Sequence, residues 1–218
     1  MYYGCDNMNY KAAIFDLDGT LVDSNSVWAK IDKIILNKRG IRCSDEFIHK
    51  LAAMTYDEVA EEMHKLGVVE TTEELIAECN ELAIKEYRYN IYIKEGVREY
   101  LDFLKKNGIK IALATASPKV LYEPVLRNNC IYNYFDVFCT TEDVGKSKDY
   151  PDIYLYAASE MDVYPDECIV FEDVLKGIVS AQNAGMTAIG VYDKYSDEDI
   201  VTIRMKADKF IMNFLEML

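Results

Sequence analysis

Two aspartates separated by one residue, Asp16 and Asp18, follow the first apolar segment of the chain. The preceding run, Ala12–Phe15, is short and uninterrupted, which is typical of a strand buried on both faces of a parallel sheet. Carboxylates placed directly after such a strand lie at its carboxyl end, where open α/β sheets bind their ligands. The spacing therefore predicts a polar site at that edge.

Two close carboxylates repel each other, so one of them tends to be protonated unless a cation is present. A hard, oxygen-seeking cation such as Mg²⁺ would remove this conflict. One aspartate could then attack a substrate while the other transfers a proton. The plainer alternative is a surface turn, because Asp and Gly are both favoured in turns.

Two later segments also carry polar groups after predicted strands. Residues 114–117, Ala-Thr-Ala-Ser, offer hydroxyl and backbone N–H groups that suit a phosphate oxygen at a helix start. Glu172 and Asp173 form a second acidic pair after the predicted strand 168–171. Ordinary helix capping is the alternative for both segments. Four carboxylates at one edge would be costly without a cation, so metal binding is the favoured interpretation of the acidic pairs.

Lys146 and Lys148 precede a predicted helix over residues 151–161. A lysine at a helix N-terminus opposes the helix dipole. This strengthens the case for a chemical role for one of them, but taken by themselves the two are interpreted as solvated loop lysines.

The order of predicted elements indicates an α/β fold with a helical insertion. Residues 24–91 show only helical spacing and two capping-box patterns, Thr55 with Glu58 and Thr71 with Glu74. From about residue 92 strands alternate with helices, which implies a parallel sheet with right-handed crossovers. We therefore expect a core domain of residues 1–23 and 92–218. The second domain, residues 24–91, is expected to lie over the carboxyl edge of the sheet.

Composition bounds the classes of partner. The chain has 218 residues, 50% of them hydrophobic, with 24 basic and 38 acidic residues and a net charge of −14. This balance argues against nucleic acid or an anionic membrane as a partner, and no apolar run approaches a membrane span. Residues 1–10 lack the features of a signal peptide. The six cysteines form no Cys-x-x-Cys pair, so reduced thiols and a cytoplasmic location are expected. The sequence leaves the oligomeric state open, and a monomer is the default expectation.

Taken together, these segments resemble the haloacid dehalogenase-like hydrolase superfamily. The residues that carry the resemblance, in order and spacing, are Asp16-Leu-Asp18-Gly-Thr, Thr115, Lys148 and Glu172-Asp173. The stretch 147–154 resembles the family's lysine segment, except that Asp149 stands where the family usually has proline. The match spans essentially the whole chain and implies a Rossmann-like parallel sheet core with an inserted, all-helical cap domain.

The resemblance also implies roles for individual residues. Asp16 would be the nucleophile that forms an aspartyl-phosphate, and Asp18 would protonate the leaving alcohol and then activate water. Thr115, the backbone N–H of Ala116 and Lys148 would hold phosphate oxygens. Mg²⁺ would be held by Asp16, the carbonyl of Asp18 and Asp173, with Glu172 close by. Lys146 is the less favoured of the two lysines.

The helical domain resembles that of β-phosphoglucomutase and the sugar phosphatases. The mutases carry a histidine, an arginine and a lysine or arginine in this domain. The corresponding positions in this chain are Trp28, about Tyr56 and near Glu86, in that order. Lys85 and Arg88 lie close to the third position. A mutase must hold a second phosphate, for which cations are the natural means. The apparent loss of these cations favours a Mg²⁺-dependent phosphatase acting on a small phosphorylated metabolite. A phosphosugar mutase and a non-catalytic binding module are the alternatives.

Trp28 and Tyr56 are candidate substrate contacts. The alternative for Trp28 is simple packing of the first helix of the inserted domain. The second aspartate, Asp18, separates subclasses, because the dehalogenases and phosphonate hydrolases of this superfamily lack it. Its presence favours phosphate ester chemistry.

Overall fold

The computed structural model describes residues 10–52, 54, 56–196 and 200–218. The chain divides into two compact units, which are described separately. The core unit combines Met1–Asp23 with Tyr92–Leu218, and the helical unit is Ser24–Ile91.

The core unit is built on one six-stranded parallel sheet. Its strands are β1 (Ala12–Phe15), β2 (Lys110–Thr115), β3 (Val137–Thr140), β4 (Cys168–Glu172), β5 (Thr187–Val191) and β6 (Lys209–Ile211). Their spatial order is β3-β2-β1-β4-β5-β6. In register, Phe15 of β1 lies opposite Leu113 on one side and Phe171 on the other. The first strand is thus central, and its carboxyl end lies between those of β2 and β4.

Helices alternate with these strands along the chain. They are α5 (Val97–Lys106), α6 (Lys119–Asn128), α7 (Thr141–Val144), α8 (Asp152–Glu160), α9 (Leu175–Asn183) and α10 (Ile200–Lys206). Strand–helix alternation returns each strand parallel to the last, as the sequence predicts. The Rossmann-like α/β fold with a helical insertion is confirmed.

Side chains that alternate along the central strands fill the core on both sides of the sheet. On one face Phe15 stacks on Phe171 with ring centroids 4.7 Å apart, and Tyr100 and Phe214 pack against the same pair. The other face carries Ile14 in a buried cluster of mostly small and branched side chains with α8 and α9. Because both faces are covered, the carboxyl edge is the part of these strands left for polar chemistry.

The described part of the helical unit contains four helices. They are α1 (Ser26–Lys38), α2 (Asp45–Ala52), α3 (Tyr56–Lys65) and α4 (Thr72–Tyr89). The capping box predicted at Thr71 and Glu74 is confirmed, with each side chain accepting from the other's backbone N–H. The one predicted at Thr55 lies outside the described residues. Arg39 joins Glu70 and Glu78 by ion pairs of 2.8 and 2.7 Å.

Helix α10 is a structural feature that the sequence patterns did not predict. Its β-branched residues, Ile200, Val201, Thr202 and Ile203, favour a strand by propensity. Ile203 instead packs tightly on Gly190 of β5, where an added Cβ would lie 2.8 Å from the Ile203 Cγ2. Tertiary packing overrides the local preference here.

Two further expectations concern the whole described chain. Cys43, Cys79, Cys130, Cys139 and Cys168 are all free thiols. Among the described helices, none combines the length and apolar character needed to span a bilayer.

Candidate active site

Asp16 stands directly after β1, where the central strand ends. Its backbone N–H donates to the carbonyl of Phe171 at 3.0 Å, which continues the pairing with β4 for one more residue. The side chain is buried, with 6% of the residue exposed. A carboxylate is thereby fixed at the carboxyl edge of the sheet, as the spacing predicts.

The chain turns sharply after Asp18. Gly19 has φ = +78°, a left-handed conformation that favours glycine, and its N–H donates to the carbonyl of Val22 at 2.9 Å. This turn places Thr20 near the end of β4, where its hydroxyl donates to the Asp173 Oδ1 at 3.2 Å. The two acidic pairs are therefore tied together through Thr20.

A buried acidic cluster forms where β1 and β4 end. One carboxylate oxygen from each of Asp16, Glu172 and Asp173 lies within 4.8 Å of the others. Asp18 is partly buried at the same turn. Such a set of oxygen donors suits a hard divalent cation.

Lys148 is the cation that the fold brings to this cluster. Its ammonium group donates to the Oδ1 of Asp16 and, at 2.7 Å, to the Oε1 of Glu172, and only 12% of its side chain is exposed. Lys146 instead pairs with Asp152 at 2.7 Å, with half of its side chain exposed. Of the two candidate lysines, Lys148 is the one placed against the predicted nucleophile.

The carboxyl group of Glu172 is closely surrounded, and one of its two oxygens has no hydrogen-bond partner among the described residues. The Tyr154 hydroxyl donates to Oε1 at 2.6 Å, and Gly177 in α9 lies so close that a Cβ there would be 2.4 Å from the Glu172 carboxyl carbon. The Oε2 atom is buried and has no hydrogen-bond partner among the described residues. A cation at the cluster would satisfy this oxygen and would balance carboxylates that outnumber the single ammonium, so the residues fit a metal ion.

Burial and mutual repulsion control protonation at the site. Burial raises the pKa of Asp16 well above its ordinary value, and the charges of Glu172, Asp173 and Asp18 raise it further, while Lys148 opposes the change. Burial acts to lower the pKa of Lys148, but Asp16 and Glu172 outweigh it and raise that pKa. Ionisation of Asp16 thus depends on positive charge nearby.

The turn after β2 reaches the same edge. The Ser117 hydroxyl donates to the Oδ2 of Asp18 at 2.6 Å, and the Ser117 N–H donates to the Thr115 Oγ1 at 2.9 Å. Thr115 is buried and Ala116 is exposed. The structure therefore links the predicted phosphate-binding turn to Asp18 through Ser117.

Sequence reasoning gave no individual role to Tyr154, and it considered Ser117 only as a member of the 114–117 segment and not as a partner of Asp18. Both lie inside the quoted motif segments, Ser117 at a helix start and Tyr154 in the lysine segment. Helix capping and core packing are the usual roles of these residue types at such positions, so only the observed contacts distinguish them.

Two predicted substrate contacts belong to the helical unit. Trp28 is partly buried on α1, and the side chain of Tyr56 lies outside the described part of the structure. Glu86, near the third position at which mutases carry a cation, is buried and pairs with Lys30 at 2.6 Å. The third position therefore carries a carboxylate, and that carboxylate is already paired with the ammonium group of Lys30.

Comparison with known proteins identifies the family of this chain. Residues 13–191 match the model of the haloacid dehalogenase-like hydrolases, and the chain belongs to that enzyme family. A phosphorylated carbohydrates phosphatase from Thermotoga maritima is 29% identical, over 86% of this chain and 88% of that protein. The β-phosphoglucomutase of Bacillus subtilis is 32% identical, over 83% of each. The crystal structure of a Thermotoga maritima protein proposed to be a β-phosphoglucomutase superposes with a TM-score of 0.82 at 26% identity, covering 92% and 94% of the two chains.

Proposed function

We propose that this protein is a Mg²⁺-dependent phosphatase that hydrolyses a small phosphorylated carbohydrate through an aspartyl-phosphate intermediate. The observation that carries the proposal is the pairing of buried Asp16 with Lys148 inside a cluster completed by Glu172 and Asp173. A nucleophilic carboxylate, a fixed cation and a set of metal-binding oxygens are the parts that phosphoryl transfer requires.

In the first step an Asp16 carboxylate oxygen bonds to phosphorus, and the bond from phosphorus to the ester oxygen breaks. Asp18 gives its proton to the departing alkoxide. In the second step Asp18 takes a proton from water, which attacks phosphorus and releases Asp16 and inorganic phosphate. The hydrogen bond from Ser117 to Asp18 orients the carboxyl that carries this proton.

The remaining residues bind the phosphoryl group and the metal ion. Lys148, the Thr115 hydroxyl and the Ala116 N–H are assigned to the oxygens of the phosphoryl group. Asp16, the Asp18 carbonyl and Asp173 would hold Mg²⁺, with Glu172 close by. When bound, Mg²⁺ would neutralise negative charge on the phosphoryl oxygens and would keep Asp16 ionised.

Phosphorylated carbohydrates are the proposed substrate class because relatives along most of the chain are named for them. We propose that residues 24–91 form the cap domain and that Trp28 and Tyr56 contact the substrate. The substitution Trp28→Ala is then expected to raise KM for the sugar phosphate, measured against p-nitrophenyl phosphate as a control.

The free thiols favour a reducing, cytoplasmic location, and a monomer is the proposed state.

The decisive experiment compares hydrolysis of p-nitrophenyl phosphate by the wild-type protein and Asp16→Asn, with Mg²⁺ and with EDTA. We expect Mg²⁺-dependent turnover that Asp16→Asn abolishes. Asp166→Asn, at an exposed site, serves as the matched control and is expected to retain activity. No turnover by the wild type, or equal turnover by Asp16→Asn, would reject the hydrolase and favour a binding module.

A phosphosugar mutase is the second candidate, because a relative 32% identical is a β-phosphoglucomutase. The test is incubation with β-glucose 1-phosphate and a bisphosphate primer. Release of inorganic phosphate supports the phosphatase, whereas accumulation of glucose 6-phosphate supports the mutase.

A further inference from the structure

The segment that follows the helical unit is paired with the segment that precedes it. Val22 and Ile93 form an antiparallel bridge, and the Lys94 N–H donates to the Leu21 carbonyl at 2.9 Å. Lys94 is therefore anchored, through its backbone, beside the turn that carries Asp18 and Thr20.

The ammonium group of Lys94 is also fully engaged. It donates to the carbonyl of Gly19, to the carbonyl of Tyr192 at 2.8 Å and to the Oδ2 of Asp193 at 2.8 Å. An ammonium has three N–H donors, and each has an oxygen acceptor here. The Lys94 side chain is 14% exposed and that of Asp193 is 2% exposed, so this charge pair is shielded from water.

One of these three acceptors belongs to the catalytic turn. The peptide that contains the Gly19 carbonyl is planar, so fixing its oxygen also fixes the N–H and Cα of Thr20. The Thr20 hydroxyl in turn donates to the Asp173 Oδ1. On the other side of Gly19, the carbonyl of Asp18 is proposed to bind the metal.

The other two acceptors lie at the end of β5. Asp193 is itself held there, because its Oδ1 accepts from the Tyr195 N–H at 2.9 Å. Lys94 therefore ties the turn at Gly19 to the two residues that follow β5. A mobile turn would lose the alignment that metal binding and phosphoryl transfer require.

We propose that Lys94 is a positioning residue, which holds the Gly19 carbonyl so that the Asp18 carbonyl and the Thr20 hydroxyl keep their places at the metal site. Asp193 holds the Lys94 ammonium in the orientation that this task needs. The inference rests on the proposed function for its effect on turnover, but its effect on metal binding can be measured separately.

A purely structural role is the competing explanation. Lys94→Met removes the cation that faces buried Asp193, and loss of one partner of a buried pair is strongly destabilising. Lys94→Met/Asp193→Asn removes both charges and is therefore expected to recover most of the lost thermal stability. If neutralising Asp193 were the whole role of Lys94, the double variant would also recover metal affinity and turnover.

The experiment measures three quantities for wild type, Lys94→Met, Asp193→Asn and the double variant. They are the melting temperature without metal, the Kd for Mg²⁺ by isothermal titration calorimetry, and kcat with p-nitrophenyl phosphate. Positioning predicts that the double variant melts near the wild-type temperature while kcat stays about 10- to 100-fold lower and Mg²⁺ binding stays about tenfold weaker. Asp193→Asn, which keeps the donation to Gly19, is expected to lie closer to wild type in both.

Recovery of all three quantities in the double variant would overturn the proposal, as would wild-type Mg²⁺ affinity in Lys94→Met. The calorimetric measurement needs no turnover. A wild-type protein that binds Mg²⁺ but hydrolyses no ester would reject the proposed function, and the Kd values would still decide the role of Lys94. Normal catalysis and normal Mg²⁺ binding in both Lys94 variants would reject the role of Lys94 and leave the proposed function standing.

Discussion

Lys146 and Lys148 are separated by one residue and have different environments. Lys148 is nearly buried between Asp16 and Glu172, whereas Lys146 pairs with Asp152 near the surface. The difference arises because the segment before α8 directs only one of these ammonium groups to the end of β1. In a buried setting that group interacts with its carboxylates far more strongly than an exposed pair does.

The two lysines form a matched test. Lys148→Met is expected to lower kcat for p-nitrophenyl phosphate by about 10² to 10³, the usual effect of losing one preorganised donor to a developing charge. Lys146→Met is expected to keep kcat near the wild-type value, because the half-exposed Lys146 side chain pairs with Asp152 and not with the acidic cluster. Equal losses in the two variants would contradict the assignment of Lys148.

At the scale of elements, the close approach of α9 to the end of β4 fixes one carboxylate. Gly177 is buried in the first turns of α9 and leaves room for the Glu172 carboxyl group, which also accepts from Tyr154 and Lys148. A helix with any side chain at this position would have to stand further from the sheet. The glycine is explained by this contact, since its propensity alone disfavours a helix.

The substitution Gly177→Ala combines a gain in helix propensity with a close contact to the Glu172 carboxyl group. Alanine favours the helix by about 1 kcal/mol, but its Cβ would lie 2.4 to 2.7 Å from three atoms of the Glu172 carboxyl group. Overpacking costs about 1 to 3 kcal/mol, so we expect a lower melting temperature and weaker Mg²⁺ binding. The control is Ser180→Ala in the same helix, whose buried hydroxyl lacks a partner among the described residues and whose loss should be neutral or stabilising. A Gly177→Ala variant with unchanged Mg²⁺ affinity would contradict the role of this contact.

Helix α1 carries a different electrostatic feature. Asp32 is buried with only 6% of the residue exposed, and burial raises its pKa to about 6. Because this lies above the usual value of about 4, the folded protein binds the proton more tightly than the unfolded chain. Stability therefore falls as pH rises from about 4 to 6 and stays reduced above that range.

Asp32→Asn is expected to remove this pH dependence and to stabilise the helical unit at pH 7 by up to about 3 kcal/mol. Urea unfolding followed at pH 5 and pH 7.5 measures the change. Glu81→Gln, at an exposed position of α4, is the control and should have little effect. A variant less stable than the wild type at pH 7.5 would show that the Asp32 carboxylate makes a favourable interaction in the fold.

At the scale of the whole molecule, the parallel sheet concentrates charge of one sign. The chain carries a net charge of −14, and three of its carboxylates are buried together where β1 and β4 end. Burying these carboxylates together costs electrostatic repulsion, which the proposed Mg²⁺ would relieve.

Mg²⁺ is accordingly expected to stabilise the folded protein. At about 100 times Kd, binding to the native state adds about 2.7 kcal/mol, which raises the melting temperature by about 5 to 10 °C for a chain of this size. EDTA should reverse the shift, and Asp173→Asn should abolish most of it, whereas Asp166→Asn should leave it intact. An equal shift in Asp173→Asn would indicate that the metal binds elsewhere.

Local patterns were sufficient to predict much of this protein. Apolar runs and capping signals predict an alternation of strands and helices with a helical insertion, and the fold class follows from that order. Asp16, Asp18 and Glu172-Asp173 could be assigned to one edge, because parallel strands bring their carboxyl ends together. Helix α10 could not be predicted, since its β-branched residues favour a strand until Ile203 packs on Gly190.

Sequence alone determined the family, the sheet and the acidic residues, because these depend on residue type and short-range spacing. The resemblance already favoured Lys148 over Lys146, and the structure places Lys148 against Asp16. Only the tertiary structure decided that Ser117 binds Asp18 and that Tyr154 and Gly177 surround Glu172. It also showed that Lys94 reaches the Gly19 carbonyl across 75 residues of chain. Such contacts depend on the positions of whole elements to within an ångström, and no local pattern encodes that distance.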